Sequence, residues 1–378
     1  MTHQTRPLKI CVLGAATSNH VVFRAQIFQE FGHDVTFVSP VEGNAGDMRT
    51  ILCAQGHRKC VVGKLSWIFR VLKTVSGLKA DIYHAHYAAE LTSWAAWILR
   101  KKPLVITVMG ADVLFDEQGS LGPLGRWLTK KTLKSADLVT VKSALLGKGV
   151  KSFGVLDRKN RTVIWGIDQR IFKPDPQGAE KQRVWWSIDK DKIILFSPRM
   201  LKPLYNQHLM VEALPLILEK YPNAVLVLST YQEDLDYRAQ VEQSAVALSV
   251  SDKVQFVPAL AMQDMSPAYS AANVVLSLPP SDGTPQSVME AMACGVPVVM
   301  SDLQRFRELF THRETTWFTA LDQRSVAEGA INILENSKLS EKISANAIEL
   351  VKTKADFETQ ARQVEQMYYQ LATNGRID

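Results

Sequence analysis

Eleven short apolar runs, rich in β-branched residues and separated by stretches of helical character, constrain this chain more than any other feature. Six fall in the first half (KICVLG, DVTFVS, DIYHAH, PLVITV, DLVTV and TVIW) and five in the second (KIILFS, AVLVLS, KVQFV, NVVLSL and PVVMS). Alternating strand and helix patterns predict parallel sheets with helices on both faces. Two such series predict an α/β chain of two Rossmann-like halves. The best boundary is GIDQRIFKPDPQG, Gly166 to Gly178, a stretch of glycine, proline and charge. It sets a first domain at 1–170 and a second at 171–355, with a C-terminal helical stretch, 356–378, packing back toward the first. Ligands in such folds bind beyond the carboxyl ends of the strands, so the expected site is a cleft between facing halves.

The densest chemistry lies in SDGTPQSVMEAMACGVPVVMSD, residues 281–302. Pro285 suits a first helical position, Thr284 can cap it, and Gly295 with Pro297 suits its end, so a helix is predicted from Pro285 to Cys294. Such a helix start, just after a buried strand, offers free N–H groups to an anion. Asp282 sits at that start, and Glu290 shares a helix face with Ser287 and Cys294. Two acids beside an anion site bind something other than the anion, and sugar hydroxyls are the obvious candidates. The plain alternative is that Asp282 caps and Glu290 makes a salt bridge.

At 378 residues, 46% hydrophobic and 22% charged, the chain has the composition of a globular protein with room for two cores. No apolar stretch approaches the roughly 20 residues that span a bilayer. The N-terminus reads as a first strand rather than a signal peptide, so a cytoplasmic protein is expected. Cys11, Cys53, Cys60 and Cys294 have no metal-binding spacing and read as reduced structural thiols. The net charge of +6 is unevenly spread: residues 1–170 hold about 24 Lys and Arg against about 12 acids, the remainder about 20 against about 26. A basic half meets nucleic acid, an anionic membrane or a phosphorylated substrate. Nucleic acid ranks last, for want of aromatic-basic interleaving or a recognition-helix pattern. Residues 60–78, CVVGKLSWIFRVLKTVSGL, suit a helix lying on an anionic membrane surface and equally a core helix with a solvated basic edge.

The first strand runs into LGAATSNHVVFRAQIF, where small residues let backbone approach a ligand; without G-x-G-x-x-G it is a poor dinucleotide site. TVMGADV places Gly110 and Asp112 at another strand end, and SPRMLKPLYN places Arg199 and Lys202 where a diphosphate would need counter-charge. His84 and His86 lack a further ligand for zinc, and Asp234 with Asp236 imitates a metal-binding D-x-D in a polar helical stretch. No metal and no cofactor are predicted.

Taken together, ADIYHAHY, KPLVITVMGADV, ADLVTVKS, VIWGIDQRIFKPD, SPR and above all DGTPQSVMEAMACGVPVV resemble the family-4 retaining glycosyltransferases of GT-B architecture, over nearly the whole chain. The resemblance implies transfer of a sugar from a nucleotide diphosphate sugar to a glycan or lipid-linked acceptor, with anomeric configuration kept and no metal. It implies that Glu290 binds ribose hydroxyls, Asp282 faces the donor sugar and Arg199 binds the diphosphate. Gly283, Thr284, Pro285, Gln286 and Ser287 would contact sugar and phosphate. Pro258 to Leu260 would meet the base, and Gly14 with Thr17, Ser18 and Asn19 would close over the diphosphate from the other domain.

Three departures from the family pattern stand out. Asp282 replaces the usual Glu, Met109-Gly110 replaces the usual His-Gly, and Lys202 follows Arg199 at a shorter spacing than usual. Met109 points to a donor without a 6-hydroxyl. Three readings compete: an enzyme extending a glycan at the cytoplasmic face of the membrane, an inactive regulatory subunit of the same fold, and a nucleotide-sugar epimerase.

Overall fold

The computed structural model describes residues 6–53, 61–113 and 121–377. By its contacts the chain divides into two units, one ending at Ile164 and resuming at Glu358, the other spanning Trp165–Phe357.

The first unit is built on seven parallel strands: β1 (Lys9–Leu13), β2 (Asp34–Ser39), β3 (Arg49–Leu52), β4 (Ile82–His86), β5 (Leu104–Thr107), β6 (Leu138–Val141) and β7 (Asn160–Thr162). Their order across sheet 1 is β3-β2-β1-β4-β5-β6-β7. β4, β5 and β6 are buried along their whole length, which is why they read as continuous apolar runs rather than alternating ones. The outermost strands are polar, RTIL and NRT, as edges that must not recruit another chain tend to be. That polarity hid β3 from the sequence reading. The expected strand TVIW contributes only Thr162 to β7; Val163 and Ile164 close the first unit, and Trp165, which opens the second, is buried with its ring 6.0 Å from that of Phe357.

The C-terminal helix Phe357–Asn374 belongs to the first unit from Glu358 onward. Glu365 bonds His33 Nε2 at 2.9 Å, the Tyr368 ring packs 4.9 Å from Phe28, and the Tyr368 hydroxyl hydrogen-bonds His84.

The second unit holds six parallel strands: β8 (Ile193–Ser197), β9 (Ala224–Ser229), β10 (Val254–Val257), β11 (Val274–Ser277), β12 (Val298–Ser301) and β13 (Trp317–Thr319), ordered β10-β9-β8-β11-β12-β13. β13 is three residues long and was not foreseen. At the edge of this unit the segments around Ile167 and Asp356 run side by side: Ile167 N donates to Ala355 O at 2.7 Å and Phe357 N to Ile167 O at 3.1 Å. A side chain at Gly166 would bring its Cβ to 1.6 Å from Ala355 O, so only glycine permits this approach.

In each sheet two strands distant in sequence lie side by side, β1 beside β4 and β8 beside β11. The chain leaves these neighbours in opposite directions, which opens a crevice at their carboxyl ends.

Candidate functional site

At the β8/β11 crevice, Arg199 stands two residues beyond β8, with its side chain 10% exposed. Its Nη2 donates to Asp282 Oδ2 at 2.7 Å, its Nη1 to Ser287 Oγ at 2.9 Å, and its guanidinium lies 4.2 Å from the centre of the Tyr205 ring. Asp282 turns its other oxygen to the Gly283 N–H, 2.7 Å away. The loop is held from below by Asn206, left-handed at φ 53°, whose side-chain amide donates to Leu278 O at 2.8 Å. A partly buried ion pair of this kind fixes a guanidinium that would otherwise sample many rotamers.

The helix spans Gln286–Ala293, one residue shorter at each end than predicted. Pro285 is the extended residue before it, and no side chain caps it, so Thr284 does not play the capping role expected of it. The fixed ring of Pro285 already sets the entry angle, and Ser287 and Asp282 are committed to Arg199.

Glu290 lies one turn beyond Ser287 and accepts a 2.7 Å bond from the buried Tyr269 hydroxyl. Burial pushes the Glu290 carboxyl above its ordinary range, against the pull of Tyr269 and Arg199. Gln286 donates its amide to Trp165 O at 2.7 Å and so helps anchor the start of the unit. Lys202 is half-buried before the turn Pro203–Tyr205 and makes no side-chain bond to the Arg199 cluster. Pro258 is exposed and Leu260 half-buried, just past the carboxyl end of β10 on the same sheet edge. Sequence reasoning missed the supports Tyr205 and Tyr269. It also missed three buried hydroxyls without a partner, Ser197 and Ser277 at the last positions of β8 and β11 and Ser281 in the loop beyond β11.

At the β1/β4 crevice of the first unit, Gly14 donates to Val38 O at 3.1 Å, and a Cβ there would meet Val21 at 2.8 Å. The glycine lets helix Asn19–Glu30 close over the strand end. Thr17 is exposed and Ser18 half-buried, and the side chain of Asn19 lies outside the described residues. Met109 is half-buried beyond β5, and Gly110 holds φ 131°. The fully buried Asp112 pins this turn by accepting the N–H groups of Met109, Gly110 and Ala88 at 3.0, 2.9 and 2.8 Å. Burial raises the Asp112 carboxyl, and those three N–H groups oppose it.

The remaining candidates resolve into structural roles. His84 shares a 2.7 Å bond with Thr107 and is pulled by burial to about 3, hence neutral. Asp234 caps helix Leu235–Ala247 by accepting from Tyr237 N at 3.1 Å. Among the described residues no cluster of three or more His, Cys, Asp or Glu is arranged to hold a metal. Cys11, Cys53 and Cys294 are buried free thiols, and Cys60 lies outside the described residues. No described helix is long and apolar enough to cross a membrane.

Residues 179–350 match the family Glycosyl transferases group 1, and residues 9–143 match Glycosyl transferase 4-like. The N-acetyl-alpha-D-glucosaminyl L-malate synthase of Bacillus anthracis is 25% identical over 308 residues, 79% of this chain and 77% of that protein. An uncharacterised glycosyltransferase of Methanocaldococcus jannaschii is 28% identical over 63% of this chain, and a D-inositol 3-phosphate glycosyltransferase of Geodermatophilus obscurus 24% identical over 58%. The matched stretches span 60% and 51% of those two proteins' lengths. Among solved structures, Anabaena HepE with UDP-glucose superposes at a TM-score of 0.81, with 18% identity, over 96% of this chain and 100% of that one. WaaG, a glycosyltransferase involved in lipopolysaccharide biosynthesis, superposes at 0.73 with 17% identity, over 97% of this chain and 100% of that one. The shared architecture is the GT-B fold.

Proposed function

The chain belongs to the group 1 glycosyltransferases, and from that premise we propose that it is a retaining enzyme moving a sugar from a nucleotide diphosphate sugar to a glycan or lipid-linked acceptor. The observation that carries the reading is the Arg199–Asp282–Ser287 cluster at the β8/β11 crevice with Glu290 one helical turn away. In the reaction the bond from the anomeric carbon to the diphosphate oxygen breaks, and its electron pair leaves with the diphosphate. The acceptor hydroxyl oxygen bonds the same carbon from the same face and gives its proton to the departing phosphate oxygen. Arg199, Lys202 and the free N–H groups at the start of Gln286–Ala293 stabilise the charge as it develops. Asp282 holds donor-sugar hydroxyls, Glu290 the ribose hydroxyls, and Pro258 to Leu260 line the base. No metal takes part.

HepE was crystallised with UDP-glucose, so UDP heads the nucleotides to try. Met109 selects a donor without a 6-hydroxyl; Met109→His, assayed against 6-hydroxy and 6-deoxy donors, sinks this point if the preference stays unchanged. The basic unit meets anionic lipid at the cytoplasmic face. Helices Val61–Gly77 and Pro123–Ser135 contain no acid and expose Leu65, Phe69, Leu124 and Trp127 among lysines and arginines.

The deciding experiment is a thermal-stability screen of the purified protein against UDP, GDP, ADP and their sugars. A ligand at 100 times its dissociation constant stabilises by about 2.7 kcal/mol. A shift with one nucleotide, lost in Glu290→Ala and followed by a new glycosidic bond in product analysis, establishes the reading. No shift with any nucleotide overturns it.

A further inference from the structure

Among the described residues the Glu290 carboxylate has one hydrogen-bond partner, the Tyr269 hydroxyl, which donates to its Oε2 at 2.7 Å. Its other oxygen, Oε1, takes no protein donor among them. A glutamate side chain turns about several torsions, and fixing it costs rotamer entropy. Whatever holds the carboxylate before a ligand arrives spares the ligand that cost.

Tyr269 is itself held on every side. It lies fully buried on helix Met265–Ala271, its ring edge-on to Phe196 of β8 at 5.9 Å and 63° and to Phe172 at 6.3 Å and 60°. Aromatic pairs prefer this geometry. One turn earlier on the same helix, Ser266 donates to Lys173 O at 2.7 Å and stands 3.5 Å from Cys294 Sγ. Ser266 and Tyr269, three residues apart, therefore meet Cys294 and Glu290, four residues apart, as two pairs between neighbouring helices. The hydroxyl cannot swing away from the carboxylate without unpacking both rings. It also keeps its proton to donate, because burial and then the charge of Glu290 push it well above its ordinary value.

We propose that Tyr269 is the positioning residue for Glu290, fixing the carboxylate so that its free oxygen meets the ribose hydroxyls and so setting a preference for a ribonucleotide over its deoxy counterpart. The assignment rests on the transferase reading and names what sharpens its nucleotide site. A deoxy nucleotide leaves the aimed oxygen without a donor, and a site built to bond a hydroxyl rejects the analogue that lacks it. A tyrosine that only fills space would need Glu290 as an acceptor for its buried hydroxyl and would have no influence on which sugar is chosen.

The test is isothermal calorimetry of the full chain with UDP, GDP and ADP, each against its 2′-deoxy and 3′-deoxy analogues. In the wild type, the ribonucleotide that binds should do so at least roughly tenfold more tightly than one of its deoxy forms, the worth of a hydrogen bond to a charged group. Tyr269→Phe keeps the ring between Phe172 and Phe196 and removes only the hydroxyl. It should weaken the ribonucleotide about tenfold and leave the deoxy analogue within about threefold, so that the preference collapses. In a Glu290→Ala background, Tyr269→Phe should change nothing further, since the two residues act as one unit. Should Tyr269→Phe alone not fold, that background decides, because it leaves no carboxylate unpaired: a second loss of affinity there overturns the proposal. A preference that survives Tyr269→Phe, an equal loss for both nucleotide forms, or no preference in the wild type overturns it too, and leaves the nucleotide site standing. No binding of any nucleotide sinks the transferase reading and the proposal with it.

Discussion

At the β8/β11 crevice the buried guanidinium of Arg199 meets a carboxylate at 2.7 Å, whereas at the β1/β4 crevice the buried guanidinium of Arg24 meets a thioether at 3.3 Å among two histidines and a lysine. The topology is the same in both places, a strand order that reverses beyond the carboxyl ends. The electrostatics are opposite. In the second unit Asp282 neutralises the cation and fixes its geometry, so a ligand there finds a preorganised donor fork. In the first unit the acid, Asp112, has turned inward to organise backbone, and Arg24 lies among histidines that burial and its own charge hold neutral. Parallel sheets thus supply a crevice, and whether its acid points to the cation or to the main chain decides which groups a ligand would meet there.

The largest expected effect breaks the first half of this contrast. Arg199→Ala removes the charge that receives the leaving diphosphate and leaves Asp282 partly buried without its cation. Turnover should fall about 10²–10³-fold, the range seen for losing one preorganised transition-state donor. Arg199→Lys should recover little, because a point charge cannot bridge Asp282 and Ser287 at once. Steady-state rates of the two variants within tenfold of wild type would mean that the cluster is structural.

The two acids should differ in stability. Asp112→Asn sets an amide N–H against at least one of three buried N–H donors and should cost about 2–3 kcal/mol in urea unfolding. Asp282→Asn, at a site with access to solvent, should cost less than about 1 kcal/mol. Equal costs would erase the distinction between an acid that organises backbone and one that faces a ligand.

Glu290 sharpens the comparison through pH. Burial raises its folded value above the ordinary 4.5, so the folded chain holds that proton more tightly than the unfolded one. The stability this contributes is present below 4.5 and is lost as pH rises through the folded value. Hydroxyl binding needs the carboxylate, so nucleotide affinity runs the other way and weakens as pH falls into that window. Glu290→Gln should bind nucleotide about tenfold more weakly at neutral pH and flatten the pH dependence. Calorimetry showing the same slope in wild type and Glu290→Gln would assign the pH effect to another group.

How legible these regions were follows from the same physics. Asp282, Arg199 and Glu290 could be read because strand ends, a proline and a glycine fixed their places on a short element. The double series of buried strands showed the architecture for the same reason. Tyr269 and Tyr205 could not, since an aromatic in a helix or turn reads as core until its hydroxyl or ring face is seen against Glu290 or Arg199. Ser197 and Ser277 looked like ordinary strand ends. Arg24 offered no signal in the sequence; its burial and its contact with Met109 show only in the fold.

The smallest effect tests whether the charges of the first unit feel one another. Burial is the main cause of the low His20 and His84 values, about 4 and about 3, and Arg24 is the next. Arg24→Met leaves the burial in place, so both histidines should stay below 6.5 yet rise by less than about one pH unit in an NMR titration. The stability their neutrality contributes is fully present above the unfolded value of 6.5. It is lost as pH falls toward the folded values, by about 1.4 kcal/mol per pH unit for the fully buried His84 and by less for the solvent-exposed His20. With the folded values raised, the variant should lose less stability than wild type between pH 6.5 and 4. Unchanged imidazole titrations would mean that Arg24 is screened from its neighbours, that burial alone sets the histidines, and that the two crevices differ in depth rather than in charge.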